Sequence, residues 1–318
     1  MQAWRALAAL VAVLAFGAHA QFPQRTVTIV VPFTPGTGAD LIARVMQPKL
    51  AQALKVPVVV DNRAGASGAI GTDFVANAPA DGHTLLFTAT SHGTVPALRK
   101  NLPFDPVKSF TPVALAATSA MAFVVASDLP AKTFDDFVSL AKKKPGELYY
   151  SSPGNGSIQH MAMELVKIET GMDIVHVPYK GSAGAATDLM GGRVQATVAA
   201  LQTMAPFVQG GKLRMLAVFS DERSPAFPDV PTMKELGHPK LVVDTWYGVF
   251  APAGTPREAV LRLNGEMNEI LKAPETREAL ARQGLAPVVD RPERLGQLVD
   301  SELARWNRVV SQAKIQGE

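Results

Sequence analysis

Cysteine is absent from the 318 residues. That excludes disulfides, thiolate zinc sites, iron–sulfur clusters, a cysteine nucleophile and a lipid anchor on an N-terminal cysteine. A strong charge imbalance is missing as well: 31 basic groups face 28 acidic ones, a net charge of +3. Nucleic-acid binders concentrate basic residues in a stripe, so this near balance argues against such a partner. Past the N-terminus there is no run of about 18 uncharged apolar residues, so nothing there reads as a membrane span. Linkers, low-complexity tracts and charge blocks are absent too. With 47% apolar and 19% charged residues the composition is that of a globular protein, and the length predicts about two domains.

Signatures of catalysis and of metal binding are also lacking. Gly36-Thr37-Gly38 and Gly154-Asn155-Gly156 each open a dinucleotide fingerprint, but Leu41 and Gln159 stand where its third glycine belongs. No phosphate loop ending in glycine, lysine and serine or threonine occurs. Gly65-Ala66-Ser67-Gly68-Ala69 departs from the nucleophile elbow at its last position. His83, His92, His160, His176 and His238 show no i, i+4 spacing and no HExxH. Neither a metal nor a cofactor is expected.

What is present begins with an export signal. Arg5 supplies a positive start, Ala6–Phe16 an apolar run, and Ala18-His19-Ala20 a small-x-small cleavage site. The run is shorter than the ~20 residues a bilayer needs, so residues 1–20 read as a signal peptide cleaved after Ala20. Branched apolar segments then alternate with helical periodicity. Residues 26–33, 56–61, 84–89, 121–126, 148–152, 174–177, 195–200 and 213–219 read as strands. Residues 40–54, 69–78, 134–143, 157–170 and 183–189 read as helices, with a kink or break at Pro48. This alternation predicts an α/β protein with mostly parallel sheets. The last third adds a strand at 242–250 and amphipathic helices at 256–271, 274–283 and 291–312. Leu295, Leu298, Leu303 and Trp306 mark the buried face of the last one. The chain is expected to cross between two lobes near residues 122 and 243.

Three loops carry glycine where a strand turns into a helix: residues 32–40, 62–69 and 153–157. Glycine admits positive φ and close backbone approach, and a helix start offers unpaired N–H groups and a positive dipole end. Together the loops point to a cleft closing on a carboxylate or phosphate.

At these loops the sequence resembles a known family. The blocks VPFTPGTGAD (31–40), VVVDNRAGASGAIGT (58–72), DGHTLL (81–86), LPFDPVKSFTPV (102–113), SSPGNGS (151–157), HVPYKG (176–181), TDLMGGRVQ (187–195), GKLRMLAV (211–218), FPDVPTMKELG (227–237) and WYGVFAPAGTP (246–256) stand in the family's order. It is similar to the periplasmic solute-binding receptors of the tripartite tricarboxylate transporter, the Bug family. The resemblance implies the type II periplasmic binding protein fold, with two lobes and a ligand cleft between them. Lobe 1 would hold residues 21–122 plus 244–318, and lobe 2 residues 123–243. It implies a periplasmic monomer without cofactor or catalysis. The ligand would be a di- or tricarboxylate, an acidic amino acid or an aromatic acid, passed to a small and a large membrane subunit. The family's pocket holds a carboxylate through backbone N–H groups, hydroxyls and water.

Carried over, the ligand-binding positions are Phe33, Thr34, Gly36, Thr37, Ala66, Ser67, Gly68, Ser91 and His92 on the first lobe. On the second they are Ser152, Asn155, Gly156, Ser157, His160, Tyr179, Lys180 and Leu201. Thr37 replaces the family's usual glycine, Ala64 its proline, and Ala69 a larger polar residue, so the ligand is not set by the resemblance. Asp40 reads first as a brace for its helix, Trp246 as core, and Asp188 as a brace of the second lobe. Two other functions fit parts of the sequence: a ligand sensor on the same scaffold, and an exported hydrolase using Ser67 or Ser157 with a histidine.

Overall fold

A computed structural model describes residues 22–99, 101–179, 182–313 and 315. The expected signal peptide and Lys180 lie outside the described residues, as do the side chains of Ser67, Ser182 and Ala183. The strands are β1 (Val27–Val31), β2 (Val58–Asn62), β3 (Thr84–Ala89), β4 (Phe110–Ala126), β5 (Tyr149–Ser152), β6 (Val175–Pro178), β7 (Ala196–Ala200), β8 (Leu213–Val218), β9 (Asp244–Pro252) and β10 (Ala286–Pro287). The helices are α1 (Gly38–Leu54), α2 (Ala69–Ala76), α3 (Ser91–Leu98), α4 (Phe134–Lys143), α5 (Ile158–Thr170), α6 (Ser182–Met190), α7 (Leu201–Gln209), α8 (Arg257–Lys272), α9 (Pro274–Ala281) and α10 (Pro292–Ala313).

Alternating side chains decide how the layers form. Val27, Ile29 and Val31 of β1 meet Ile42, Met46 and Leu50 of α1, while Val30 turns to the opposite face with Val75 and Trp246. Consecutive strand residues point to opposite sides, so a wholly apolar strand needs helices on both. The same logic runs through the end of β4. Met121, Phe123 and Val125 join one buried cluster, and Ala122, Val124 and Ala126 another.

Strand β4 links the two lobes. It pairs with β9 as far as Ala120↔Asp244, then with β7 from Met121↔Ala200 and with β8 from Ala122↔Val218. Parallel pairing, expected for most of the sheet, holds at the flanks: β1 with β2 and β3, and β5 with β6 and β7. The centre is antiparallel, β9 lying between β3 and β4. The two strands there carry the chain between lobes in opposite directions.

Helix α1 runs unbroken through Pro48, where a kink or break was expected. Pro48 and Arg44 are exposed, so the Arg44 carbonyl left without its i+4 donor faces water, while the opposite face stays packed. The sequence reading also omits α3 and α7, each containing a proline, and the first half of β4. Helix α10 does more than pack on one domain. Leu295 and Val299 join the first lobe's cluster with Trp246 and Phe250, whereas Trp306 and Val309 join Phe219 and Leu241 in the second.

Asp244 opens β9 at this joint. Its Oδ1 is buried without a hydrogen-bond partner among the described residues. Burial, aided by Asp221 and Glu302 and opposed by Arg305, pushes its carboxyl up to about 6. An unfolded aspartate titrates near ~3.9. The folded state therefore favours the protonated form, and the stability it contributes is lost as pH rises from about 4 through about 6. Asp244→Asn is expected to melt higher than the parent at about pH 8, with the gap closing below about pH 5. A gap in calorimetric Tm that does not change with pH would show that Asp244 does not titrate in this window.

Candidate functional site

The first lobe's wall is built on Asp40, in the first turn of α1. Its carboxylate, almost fully buried, accepts the Gly36 N–H at 2.9 Å, the Asn62 amide at 2.9 Å and the Arg44 Nε at 3.0 Å. Asn62 also donates to the Phe33 carbonyl at 3.1 Å and accepts from Arg44 Nη2 at 2.9 Å. Burial alone would raise this carboxyl, but the bonds from Arg44, Gly36 and Asn62 together hold it below the usual carboxylate range. Gly36 takes φ +85° to make the turn. Asp40 is thus a brace, as the sequence suggests. Arg44 and Asn62, which the sequence reading left out of the site, complete it; Asn62 ends β2 and opens the 62–69 glycine loop.

The loop after β2 closes against this one. Ala66–Gly68 forms a single 3-10 turn, in which Gly68 donates to Gly65 O at 2.9 Å. A side chain at Gly68 would press on the Phe33 ring at 3.2 Å, and φ there is +97°. Ala66 is held in the left-handed region at φ 49°, a conformation alanine avoids and one often found at functional loops. A narrow pocket then joins Gly68 and Thr72 to Thr88 and Ser91. Phe33, Gly36, Ala66, Gly68 and Ser91 are therefore gathered on one wall. Thr34 and Thr37 lie on the same loop, the Thr37 hydroxyl donating to Thr34 O at 3.1 Å. The N–H groups of the first turn of α1 have no acceptor within the helix and carry its positive dipole end.

His92 lines the same pocket, but its ring is held by core contacts. Its ring stacks on Phe250 at 4.7 Å between centroids, and Nε2 lies 2.8 Å from Pro106 O. Burial lowers its pKa to about 4, so it is a neutral core imidazole. Trp246 is core, as expected, and Leu201 is buried in the second lobe.

The second lobe's glycine loop differs from the first. Its N–H groups are occupied internally: Gly154 donates to Ser152 Oγ at 3.2 Å, Gly156 to His160 Nδ1 at 3.1 Å, and Ser157 to Gly154 O at 3.2 Å. Ser157 caps α5, accepting the His160 N–H at 3.3 Å and donating its hydroxyl to Gly154 O at 2.8 Å. Ser152 is fully buried, 2.7 Å from His176 Nε2. His160 and His176 stack at 4.0 Å between centroids with their planes nearly parallel. Burial lowers both, His176 to about 3 with the neighbouring His160 adding to the effect. Two charged rings could not lie face to face, and both are neutral. Tyr179 donates to Asp188 at 2.6 Å, and Arg193 pairs with the same carboxylate; Asp188 is a brace. Asn155 remains exposed at the loop tip. A side chain at Gly156 would run into Leu98 of α3, which places this loop against the first lobe.

The hydrolase arrangement finds no support in Ser157, whose hydroxyl is committed to Gly154 O. Ser67's side chain lies outside the described residues. Among the described residues no group of three or more histidine, aspartate or glutamate side chains could hold a metal. None of the described helices is long and apolar enough to cross a membrane.

Residues 42–315 match the family described as Tripartite tricarboxylate transporter family receptor. The chain belongs to this receptor family. The receptor is similar to Protein BugT of Bordetella pertussis, with 38% identity over 291 residues, 91% of this chain and 89% of that one. Among solved structures it resembles an R. palustris protein with adipate, at TM-score 0.82 and 36% identity, covering 94% of this chain and 100% of the other. It also resembles MatC of Rhodopseudomonas palustris with bound malate, at TM-score 0.77 and 34% identity, covering 91% and 100%. The fold is thus the two-lobed periplasmic binding protein fold, and the receptor is a binding protein rather than an enzyme.

Proposed function

We propose that this receptor captures a small carboxylate between its lobes and hands it to the small and large membrane subunits of a tripartite transporter. The observation that carries this reading is the Asp40-braced loop at the start of α1. There the first-turn N–H groups stand beside the Ala66–Gly68 turn and Ser91, a setting suited to an anion without a full counter-charge. The similar proteins with adipate and malate support a carboxylate.

In this reading lobe 1 comprises residues 21–122 and 244–318, and lobe 2 residues 123–243. They turn about β4 and the 219–244 crossing, with the end of α10 bracing lobe 2. The protein works as a monomer in the periplasm after cleavage behind Ala20. Phe33, Thr34, Thr37, Ala66, Ser67, Gly68 and Ser91 face the carboxylate; Asn155, Tyr179 and Lys180 form the opposite lip.

Thermal shift with a panel of carboxylates and amino acids tests the function. A true ligand at about a hundred times its Kd stabilises by about 2.7 kcal/mol, which raises Tm by roughly 4 °C in a protein of this size. If no carboxylate in the panel moves Tm, the reading is overturned.

A further inference from the structure

The start of α1 lacks the side-chain cap that serine, threonine, aspartate or asparagine usually supplies. Thr37 stands at the capping position, yet its side chain makes no cap bond; its hydroxyl donates to Thr34 O instead. The first-turn N–H groups have no acceptor within the helix. A further donor stands beside them. Tyr247 of β9 packs its ring into the first lobe's core with Val31, Ala39 and Ala117. Its phenolic end lies against Gly38, the first residue of α1: a Cβ built there would run into the Tyr247 hydroxyl and stand 2.6 Å from Cζ. Glycine serves here for close approach.

The residue is 8% exposed, and its hydroxyl makes no hydrogen bond among the described residues. Buried tyrosine hydroxyls ordinarily find a partner. Unlike the neighbouring Trp246 Nε1, which is sealed off without a partner, this oxygen keeps some contact with solvent. Burial raises its pKa to about 12, so at neutral pH it carries its proton. Tyr247 pairs with Ala89 of β3 and Ala117 of β4, at the edge where β3 runs out towards Ser91 and α3. Strand β1, parallel to β3, delivers α1 to the same edge. Ligands of open α/β sheets bind beyond these carboxyl ends of the strands.

We infer that the Tyr247 hydroxyl is a ligand-binding group, donating to the bound carboxylate together with the first-turn N–H groups of α1. This rests on the carboxylate reading proposed above and adds to it a residue that the glycine loops do not contain. A carboxylate leaving water needs several fixed donors. A neutral hydroxyl supplies one without a counter-charge, and its bond to a charged group is stronger than one to a neutral acceptor. In the empty protein the same hydroxyl adds nothing to stability, since none of the described groups accepts its proton.

Tyr247→Phe separates these two states, because it keeps the ring and removes only the oxygen. The full chain and the variant are melted without ligand, then titrated by calorimetry with the carboxylates of the thermal-shift panel, adipate, malate, citrate, glutamate and benzoate among them. The variant is expected to melt within about 2 °C of the parent. Its Kd for each carboxylate that binds the parent is expected to rise at least about tenfold. A smaller rise overturns the inference and leaves the carboxylate reading standing. A ligand-free Tm lower by more than about 2 °C would mark the hydroxyl as a donor within the fold and overturns the inference as well. If no carboxylate of the panel binds the parent, the carboxylate reading falls and this inference with it.

Discussion

Trp306→Ala is expected to cost about 3–5 kcal/mol of stability, lowering Tm by roughly 5–8 °C. Trp306 has no exposed surface and sits with Phe219, Leu241 and Val243 in the second lobe's core, although its helix starts in the first. Its indole N–H donates to Glu302 Oε2 at 2.5 Å. Glu302 is itself buried, and burial raises its carboxyl despite the bond from Trp306 and the nearby charge of Arg305. Alanine would leave both a cavity and a buried carboxylate short of a donor. Trp306→Phe separates the two effects. It keeps most of the packing and removes only the donor, an expected loss of about 1–3 kcal/mol. Denaturant melts of both variants measure this. A loss below about 1 kcal/mol for the alanine variant would mean that α10 does not tie the lobes together.

Ligand affinity should fall about a hundredfold in Asp40→Ala, some 2.7 kcal/mol, with a smaller loss of stability. The carboxylate holds three donors from separate segments: the Gly36 N–H of the loop, Arg44 on α1 and Asn62 at the end of β2. Without it the loop loses the contact that aims the start of α1 at the cleft. Asparagine is no substitute, because one of its atoms would set an amide donor against another donor. The pH dependence follows from the lowered pKa. An aspartate depressed in the folded state contributes stability above its unfolded pKa of ~3.9 and loses it as pH falls through the folded value. Binding should therefore hold through neutral pH and decline only below about pH 4. Titration of the variant with the best carboxylate of the panel decides: parental affinity would show that the loop needs no brace.

How much of the site was legible depends on where each donor ends up. Gly36 and Gly154 look alike in sequence, glycines between a strand and a helix, and one rule predicts anion-binding N–H groups at both. In the folded chain His160 and Ser152 turn back to occupy the second loop's N–H groups. At the first loop Asp40 takes the Gly36 N–H, and the first-turn N–H groups of α1 have no acceptor within the helix. Histidine, serine and aspartate each serve as cap, core or ligand contact, and neither spacing nor composition says which. His92 shows the same limit: a polar residue beside a strand end becomes a core ring because Phe250, distant in sequence, lies under it.

By itself the sequence determined the α/β class, the strand–helix order and the family. Branched apolar runs of period two and helical runs of period 3.6 are local properties, and the ordered glycine blocks can be read without coordinates. Only the tertiary structure decided that β4 serves both lobes, that α10 reaches from one core into the other, and which partner takes each glycine loop's N–H groups. Each of these depends on contacts between residues far apart in the chain. The energy of such a contact comes from burial and hydrogen-bond partners brought together by folding, which no local pattern encodes.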